Sequence, residues 1–202
     1  MISIDASKNT ERENYKLLIG SIIPRPIAFV TSISKEGVVN GAPFSYFNIV
    51  AANPPMISIS IQRPSGKQKD TARNILENQE FVVHIVDQHN VDKINQTAAS
   101  LPPDQSEIDF ADLTLVNSEK IPVPGVKEAK IRMECKLEHC LQIGENESPS
   151  SDLIIGRVLQ IHIDESIYFD GKIDPDKLGA VSRLAGNDYA KIGKIFTIER
   201  PK

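Results

Sequence analysis

Cysteine is scarce: Cys135 and Cys140 are the two in 202 residues, too few for a disulfide framework. No apolar run approaches the length of a membrane-spanning helix. The opening "MISIDASKNTERENYKLL" is charged and polar, without the apolar centre of a signal peptide. A cytoplasmic location and no membrane partner are the resulting expectations. Excess positive charge is missing as well. The net charge of −4 argues against nucleic acid as the main partner, because neutralising phosphates needs a dense basic surface.

Several catalytic signatures are also absent. No G-x-G-x-x-G follows a strand pattern, so a dinucleotide-binding α/β domain has no fingerprint. "RPSGKQKDT" contains Gly-Lys but lacks the upstream glycine and the following Ser/Thr of a P-loop. Neither a G-x-S-x-G elbow nor an H-E-x-x-H helix occurs. The four histidines, His84, His89, His139 and His162, are scattered, and metal sites show tighter ligand spacing. His84 and His162 fall inside strand patterns, where a hydrogen-bonded structural role is the simpler one. Carboxylates mostly alternate outward or sit in loops, so no hydrolytic pair stands out.

What is present is a globular composition, 40% hydrophobic and 25% charged, in a length suited to one domain over 1–202. Period-2 patterns dominate. "RPIAFVTSI" reads as a strand, "SKEGVV" as a turn with Gly37 at positive φ, and a returning strand follows. "PPMISISIQ" sets Met56, Ser58 and Ser60 against Ile57, Ile59 and Ile61. "EFVVHIVD", "IRMECKLEHCLQIG" and "SDLIIGRVLQIHIDESIYF" complete the set, and regularly spaced strands suggest a sandwich or barrel. In the third of these, a separation of five turns Cys135 and Cys140 to opposite faces. Helices are fewer: "KDTARNILENQE", with Asp70 or Thr71 available as N-cap, and the weaker "NVDKINQTAAS". Residues 102–124 read as an excursion holding at most a short helix. The fold class is therefore mainly β with flanking helices.

One stretch, 25–55, "RPIAFVTSISKEGVVNGAPFSYFNIVAANPP", has the makings of a site wall. Thr31 and Ser32 end its first strand, with hydroxyls and amides expected to face outward. Small Ala42 and rigid Pro43 let a flat ligand approach the backbone, and Ser45 and Asn48 offer donors and acceptors suited to the edge of a heterocycle. Downstream, Arg63, Lys67 and Lys69 precede a helix start, a combination that suits a phosphate monoester. Taken singly, each feature is more simply an ordinary turn former, cap or solvated charge than a ligand contact. Their order along the chain is what suggests a mononucleotide-like ligand.

That order resembles the flavin reductase-like family of FMN-binding split barrels, in "RPIAFVTS…G…N.APFSYFN…NPP" at 25–55, "KDT" at 69–71 and "SRLAGNDYA" at 182–190. The resemblance spans nearly the whole chain, and Tyr46 stands where the family often has Phe. It implies a split β-barrel, commonly a homodimer, that binds FMN and takes NADH or NADPH as a transient co-substrate. By position it assigns Thr31 and Ser32 to the flavin or ribityl chain, and Ala42, Pro43, Phe44 and Ser45 to the ring edge, with Asn48 nearby. Ser60, Arg63, Lys69, Asp70 and Thr71 fall around the ribityl chain and phosphate. Arg183, Asn187 and Tyr189 match the late motif. A flavin reductase, serving a partner monooxygenase among other acceptors, is the activity implied. A flavoredoxin-like electron carrier without a nicotinamide site and a non-enzymatic split-barrel module are the alternatives.

Overall fold

The computed structural model describes residues 1–99, 101–102, 104–145 and 148–201. In chain order it contains α1 (Glu11–Ser21), β1 (Arg25–Pro26), β2 (Ala28–Ile33), β3 (Val39–Phe44), β4 (Phe47–Ala52), β5 (Pro55–Gln62), α2 (Asp70–Asn78), β6 (Glu80–Ile85) and α3 (Val91–Gln96). There follow α4 (Glu107–Phe110), β7 (Leu115–Val116), β8 (Gly125–Val126), β9 (Ile131–Glu145), β10 (Ser148–Ile163), β11 (Tyr168–Phe169), β12 (Lys172–Ile173), α5 (Pro175–Leu178), β13 (Val181–Arg183) and β14 (Tyr189–Lys191).

Seven strands form one sheet in the order β3-β2-β6-β9-β10-β5-β4. Its two edges, β3 and β4, are consecutive in sequence and joined only through Ser45 and Tyr46. Such a link spans about 10 Å when fully extended. The sheet must therefore curl until its edges nearly meet, which makes a barrel split along the β3–β4 seam. The interior is packed with Val30, Phe44, Ile57, Ile59, Ile61, Phe81, Val83, Cys135 and Ile154, closed over by Ala72 and Ile75 of α2. The three isoleucines of β5 point into this core as the alternation predicts, leaving Ser58 and Ser60 half-buried on the other face. Gly37 takes φ +86° in the β2–β3 turn.

A second core holds Ile27, Phe29, Ile94, Ile108, Leu113 and Val126 beneath α3, α4 and the excursion. Among its described residues the excursion carries one short helix, α4, as its composition suggests. Pro103 within it, and Ser100 at the end of "NVDKINQTAAS", lie outside the described residues. A small sheet, β1-β13-β14, brings residues 181–191 beside the start of the barrel.

One helix was not foreseen, and two expectations need correction. Helix α1 carries no strong periodicity, yet it is fixed by a capping box: Thr10 Oγ1 accepts from Glu13 N, and the Glu13 carboxylate accepts from Thr10 N. Helix α2 is capped by neither Asp70 nor Thr71. Lys69 is the N-cap residue, without a side-chain cap bond, and Asp70 instead pairs with Arg73 at 2.7 Å. Cys135 and Cys140 do not face opposite ways. Glu138 is an extra residue between the pairs Leu137↔Gly156 and His139↔Ile155, so both thiols turn toward the same core. Among the described carboxylates, Asp87, Glu107, Glu134 and Asp152 are buried.

Candidate functional site

A cleft of about 370 Å³ opens at the barrel seam. The end of β3 supplies Pro43 and Phe44, the β3–β4 link Ser45 and Tyr46, and β5 supplies Ser60 and Gln62 from its core-averted face. Lys69, where the chain enters α2, lies at the same opening, its Nζ 5.7 Å from the centroid of the Phe44 ring. Arg183 and Tyr189 complete the wall, the guanidinium carbon 4.5 Å from the centroid of the tyrosine ring. Arg183 also donates to Gly186 O at 2.6 Å. The Tyr189 hydroxyl donates to Asn95 Oδ1 at 2.9 Å, tying the late motif to α3. The two sheets converge here because buried Arg25 of β1 donates to Ile19 O and Ile22 O behind α1 and to Leu184 O after β13.

The structure thus gathers Pro43, Phe44, Ser45, Ser60, Lys69, Arg183 and Tyr189 into one cleft. The other sequence-predicted residues lie elsewhere. Thr31 and Ser32 do not face outward. They are fully buried, because strand β2 is covered on both faces: Thr31 Oγ1 donates to Pro124 O in the excursion, and Ser32 Oγ accepts from Asn74 Nδ2 of α2. Ala42 packs against the barrel core. Asn48 is exposed in a neighbouring groove, where its own Oδ1 accepts from Ile49 N. Arg63 grips the buried carboxylate of Asp152 with Nε at 2.8 Å and Nη2 at 2.5 Å, so its charge is already balanced. Asp70 pairs with Arg73, Thr71 is buried against Asn40, and Asn187 is exposed in the turn between β13 and β14.

Sequence reasoning missed Tyr15, Gln62 and Asn95 as wall residues. Gln62 was within reach, since it continues the Ser58, Ser60 face of β5. Tyr15 depended on recognising α1, for which Thr10-x-x-Glu13 was the available signal.

The cleft's chemistry is that of a binding surface. No carboxylate, imidazole or thiol among the described residues lines it. Burial, with Tyr15 beside it, pushes the Tyr46 phenol above its usual range, which keeps it a neutral hydrogen-bonding group. The acidic end of the titration scale is populated elsewhere. Glu134 accepts from Glu119 N and Lys120 N, both at 2.7 Å, and meets His162 Nε2 at 2.6 Å. Burial raises that carboxyl, but these donors outweigh it and leave it below the usual range. His84 is wholly structural: Val126 N donates to Nε2, so the proton sits on Nδ1 and is given to Phe29 O. Its burial lowers its pKa to about 3.

At the phosphate-like end, the first turn of α2 has no capping side chain, and Lys67 and Lys69 are exposed beside it. Uncapped N–H groups and free ammonium charge form an anion-attracting corner.

Comparison with known proteins places this geometry. A family model described as flavin reductase like domain matches residues 19–175. The crystal structure of nitrilotriacetate monooxygenase component B from Bacillus cereus superposes with a TM-score of 0.96 at 59% identity, covering 98% of each chain. The Bacillus subtilis (strain 168) protein YwrF is 50% identical over 204 residues, covering all of both chains. Pseudomonas fluorescens 2-nitrobenzoate 2-nitroreductase superposes with a TM-score of 0.89 at 29% identity, over 99% of this chain and 96% of that one.

Proposed function

The chain belongs to the flavin reductase-like family, and from that premise we propose that it is an FMN-dependent oxidoreductase that draws on NADH or NADPH. The observation that carries the proposal is the seam cleft itself. It joins a wall of small, flat and hydroxylated groups to a basic, uncapped helix entrance. Its volume lies in the range of small-ligand sites, roughly 300–1,000 Å³.

The donor set fits FMN. Lys69, with the open N–H groups at the start of α2, would hold the phosphate. Ser60 and Gln62 would serve the ribityl hydroxyls, each as donor and acceptor. The residues 43–46 would lie against the ring, where Pro43 and Ser45 permit close approach. Bound there, the flavin supplies a hydride acceptor and a one- or two-electron donor. The protein's task is then to hold two planar rings at reacting distance and to keep water from between them. The absence of a carboxylate, imidazole or thiol from the described cleft wall agrees with this, because hydride transfer between rings needs no general base from the protein. The Arg183–Tyr189 pair would act as a side wall whose guanidinium can meet a second, anionic substrate.

The similarity to a monooxygenase component B supports the further reading that reduced flavin is delivered to a partner monooxygenase. The test is spectroscopic. Purified protein titrated with FMN is expected to show a perturbed flavin spectrum, which anaerobic NADH or NADPH bleaches. FMN binding without bleaching by either nicotinamide, but with reduction by a protein donor, would instead make the chain an electron carrier.

A further inference from the structure

A second cleft, of about 330 Å³, shares no wall residue with the seam cleft. It opens where β9 begins and β10 ends, and its charged wall is Lys127, Lys130, Arg132, His162 and Asp164. For a chain with a net charge of −4, three cations and an imidazole on one cleft are an uneven placement. The strand pairings produce it. Arg132 stands opposite His162 across β9–β10 and opposite His84 across β6–β9. It lies on the face turned away from the core that Met133 and Cys135 pack against. β8 crosses close by. A Cβ at Gly125 would lie 3.0 Å from His84 Nε2 and 3.1 Å from Arg132 Cδ, so the glycine leaves the arginine stem its course.

These charges are unequally satisfied. Lys130 Nζ lies 3.9 Å from buried Asp87 and donates to Lys177 O and Leu178 O. His162 gives its Nε2 proton to the ionised Glu134. Arg132 and Lys127 have no ion-pair partner among the described residues. The acids whose fields reach Arg132 are engaged. Glu134 accepts from two amides and His162, and Glu119 accepts from Gln160 Nε2 at 3.2 Å. Burial outweighs those fields and holds the Arg132 guanidinium below its ordinary range, so the site gains from an incoming anion. A planar fork of N–H donors suits an anion that offers two oxygens, and Lys127 can neutralise a second charge. Asp164 adds a constraint. Hydrogen bonds from Ser166 keep its carboxyl below the usual range. An ionised carboxylate in the wall repels an anion that brings no O–H for it to accept.

We propose that this cleft binds a small dianion of phosphate or carboxylate oxygens that also carries an O–H, such as hydrogen phosphate or a short hydroxydicarboxylate. Arg132 and Lys127 hold its charges, and Asp164 accepts the hydrogen bond from its O–H. Sulfate and succinate carry the same charge without that donor, and Asp164 turns them away. The occupant touches β7, the β8–β9 turn and the ends of the two longest strands, so it fastens the excursion's return to the barrel. With no wall residue in common, both clefts can be filled at once. The proposal does not rest on the flavin reading.

The test is calorimetric titration of the full chain with inorganic phosphate, malate, sulfate and succinate. Ionic strength is held constant at a slightly alkaline pH, where phosphate is mostly the dianion. Phosphate also probes the Lys69 corner, so wild type and Lys69→Ala are both titrated. In Lys69→Ala, phosphate or malate is expected to saturate one site per chain, at least tenfold more tightly than sulfate or succinate. Tighter phosphate marks a phosphate site, and tighter malate a hydroxy-acid site. Arg132→Gln and Lys127→Gln should each weaken that binding at least tenfold. Asp164→Asn, which keeps the oxygen that caps the following turn, should erase the preference over sulfate and succinate. In ¹⁵N spectra the Arg132 Nε–H and the Lys127 and Asp164 amides are expected to move on titration. Should Arg132→Gln lower the melting midpoint, the exposed Lys127 and these shifts still decide the site. No saturable binding, equal affinity for the anions with and without an O–H, or binding lost in Lys69→Ala but kept in Lys127→Gln would overturn the proposal. FMN titration of the same samples separates the two ideas. FMN binding with neither phosphate nor malate bound in Lys69→Ala removes this site and leaves the flavin reading; anion binding here without FMN binding does the reverse.

Discussion

Arg63 and Lys69 look alike in the sequence, two cations ahead of one helix, and the structure gives them different work. Arg63 forms a two-pronged pair with buried Asp152, whereas Lys69 stands free at the cleft. Removing one partner of a buried pair strands the other charge and costs about 3–5 kcal/mol. Losing a charge-assisted bond to a ligand costs about 1.5–3 kcal/mol of affinity. Arg63→Gln is therefore expected to lower the denaturation midpoint sharply. Lys69→Ala should leave that midpoint nearly unchanged while weakening FMN at least tenfold and riboflavin, which has no phosphate, hardly at all. Equal losses for both flavins would remove Lys69 from the phosphate. His84 supports a prediction of another kind. Its folded-state pKa is depressed from 6.5 to about 3, so below pH 6.5 the unfolded chain takes up a proton that the native imidazole refuses. Stability then falls by about 1.4 kcal/mol per pH unit as pH drops toward 3. His84→Gln, which keeps a donor and an acceptor, should flatten that portion of the slope in urea titrations at stepped pH. A strand position already marked His84 as structural. Nothing local marked Arg63, because its partner lies 89 residues away.

Elements were legible in proportion to how local their causes are. The β5 alternation and the Gly37 turn are written in neighbouring residues, and both appear where the pattern puts them. The bulge in β9 is not, since it arises from pairing with β10. Gly156 there lies opposite Leu137 and under the Phe81 ring, which a Cβ at that position would strike. The missing side chain lets the strand approach Phe81, and the extra residue Glu138 re-aims Cys140 toward the core. Gly156→Ala should therefore overpack the barrel and cost about 1–3 kcal/mol. The urea midpoint is expected to fall with the slope unchanged. A neutral result would mean that Phe81 has room to move. Helix α1 failed to show for the opposite reason. Only Ile19 of its residues is buried, so periodicity had little to work on, and the capping box alone carried the signal.

At the scale of the molecule, the cleft draws residues from Tyr15 to Tyr189, on α1, the β3–β4 link, β5, α2, α3, β13 and β14. These elements belong to separate packing clusters, Phe44 to the barrel interior and Val181 of β13 to the outer core. A ligand seated there must hold both clusters in register, and it can bind only when both are folded. Its free energy is then added to the global transition rather than to a local one. At a hundred times its dissociation constant, a ligand specific for the native state contributes about 2.7 kcal/mol. For a chain of 150–250 residues each kcal/mol moves the midpoint by about 2–4 °C. Saturating FMN is thus expected to raise the melting temperature by roughly 5–11 °C in one undivided transition, with Lys69→Ala reducing the gain at equal FMN concentration. A melting curve that splits in two on adding FMN would show that the ligand holds only one cluster, and an unmoved one would place the flavin outside the seam.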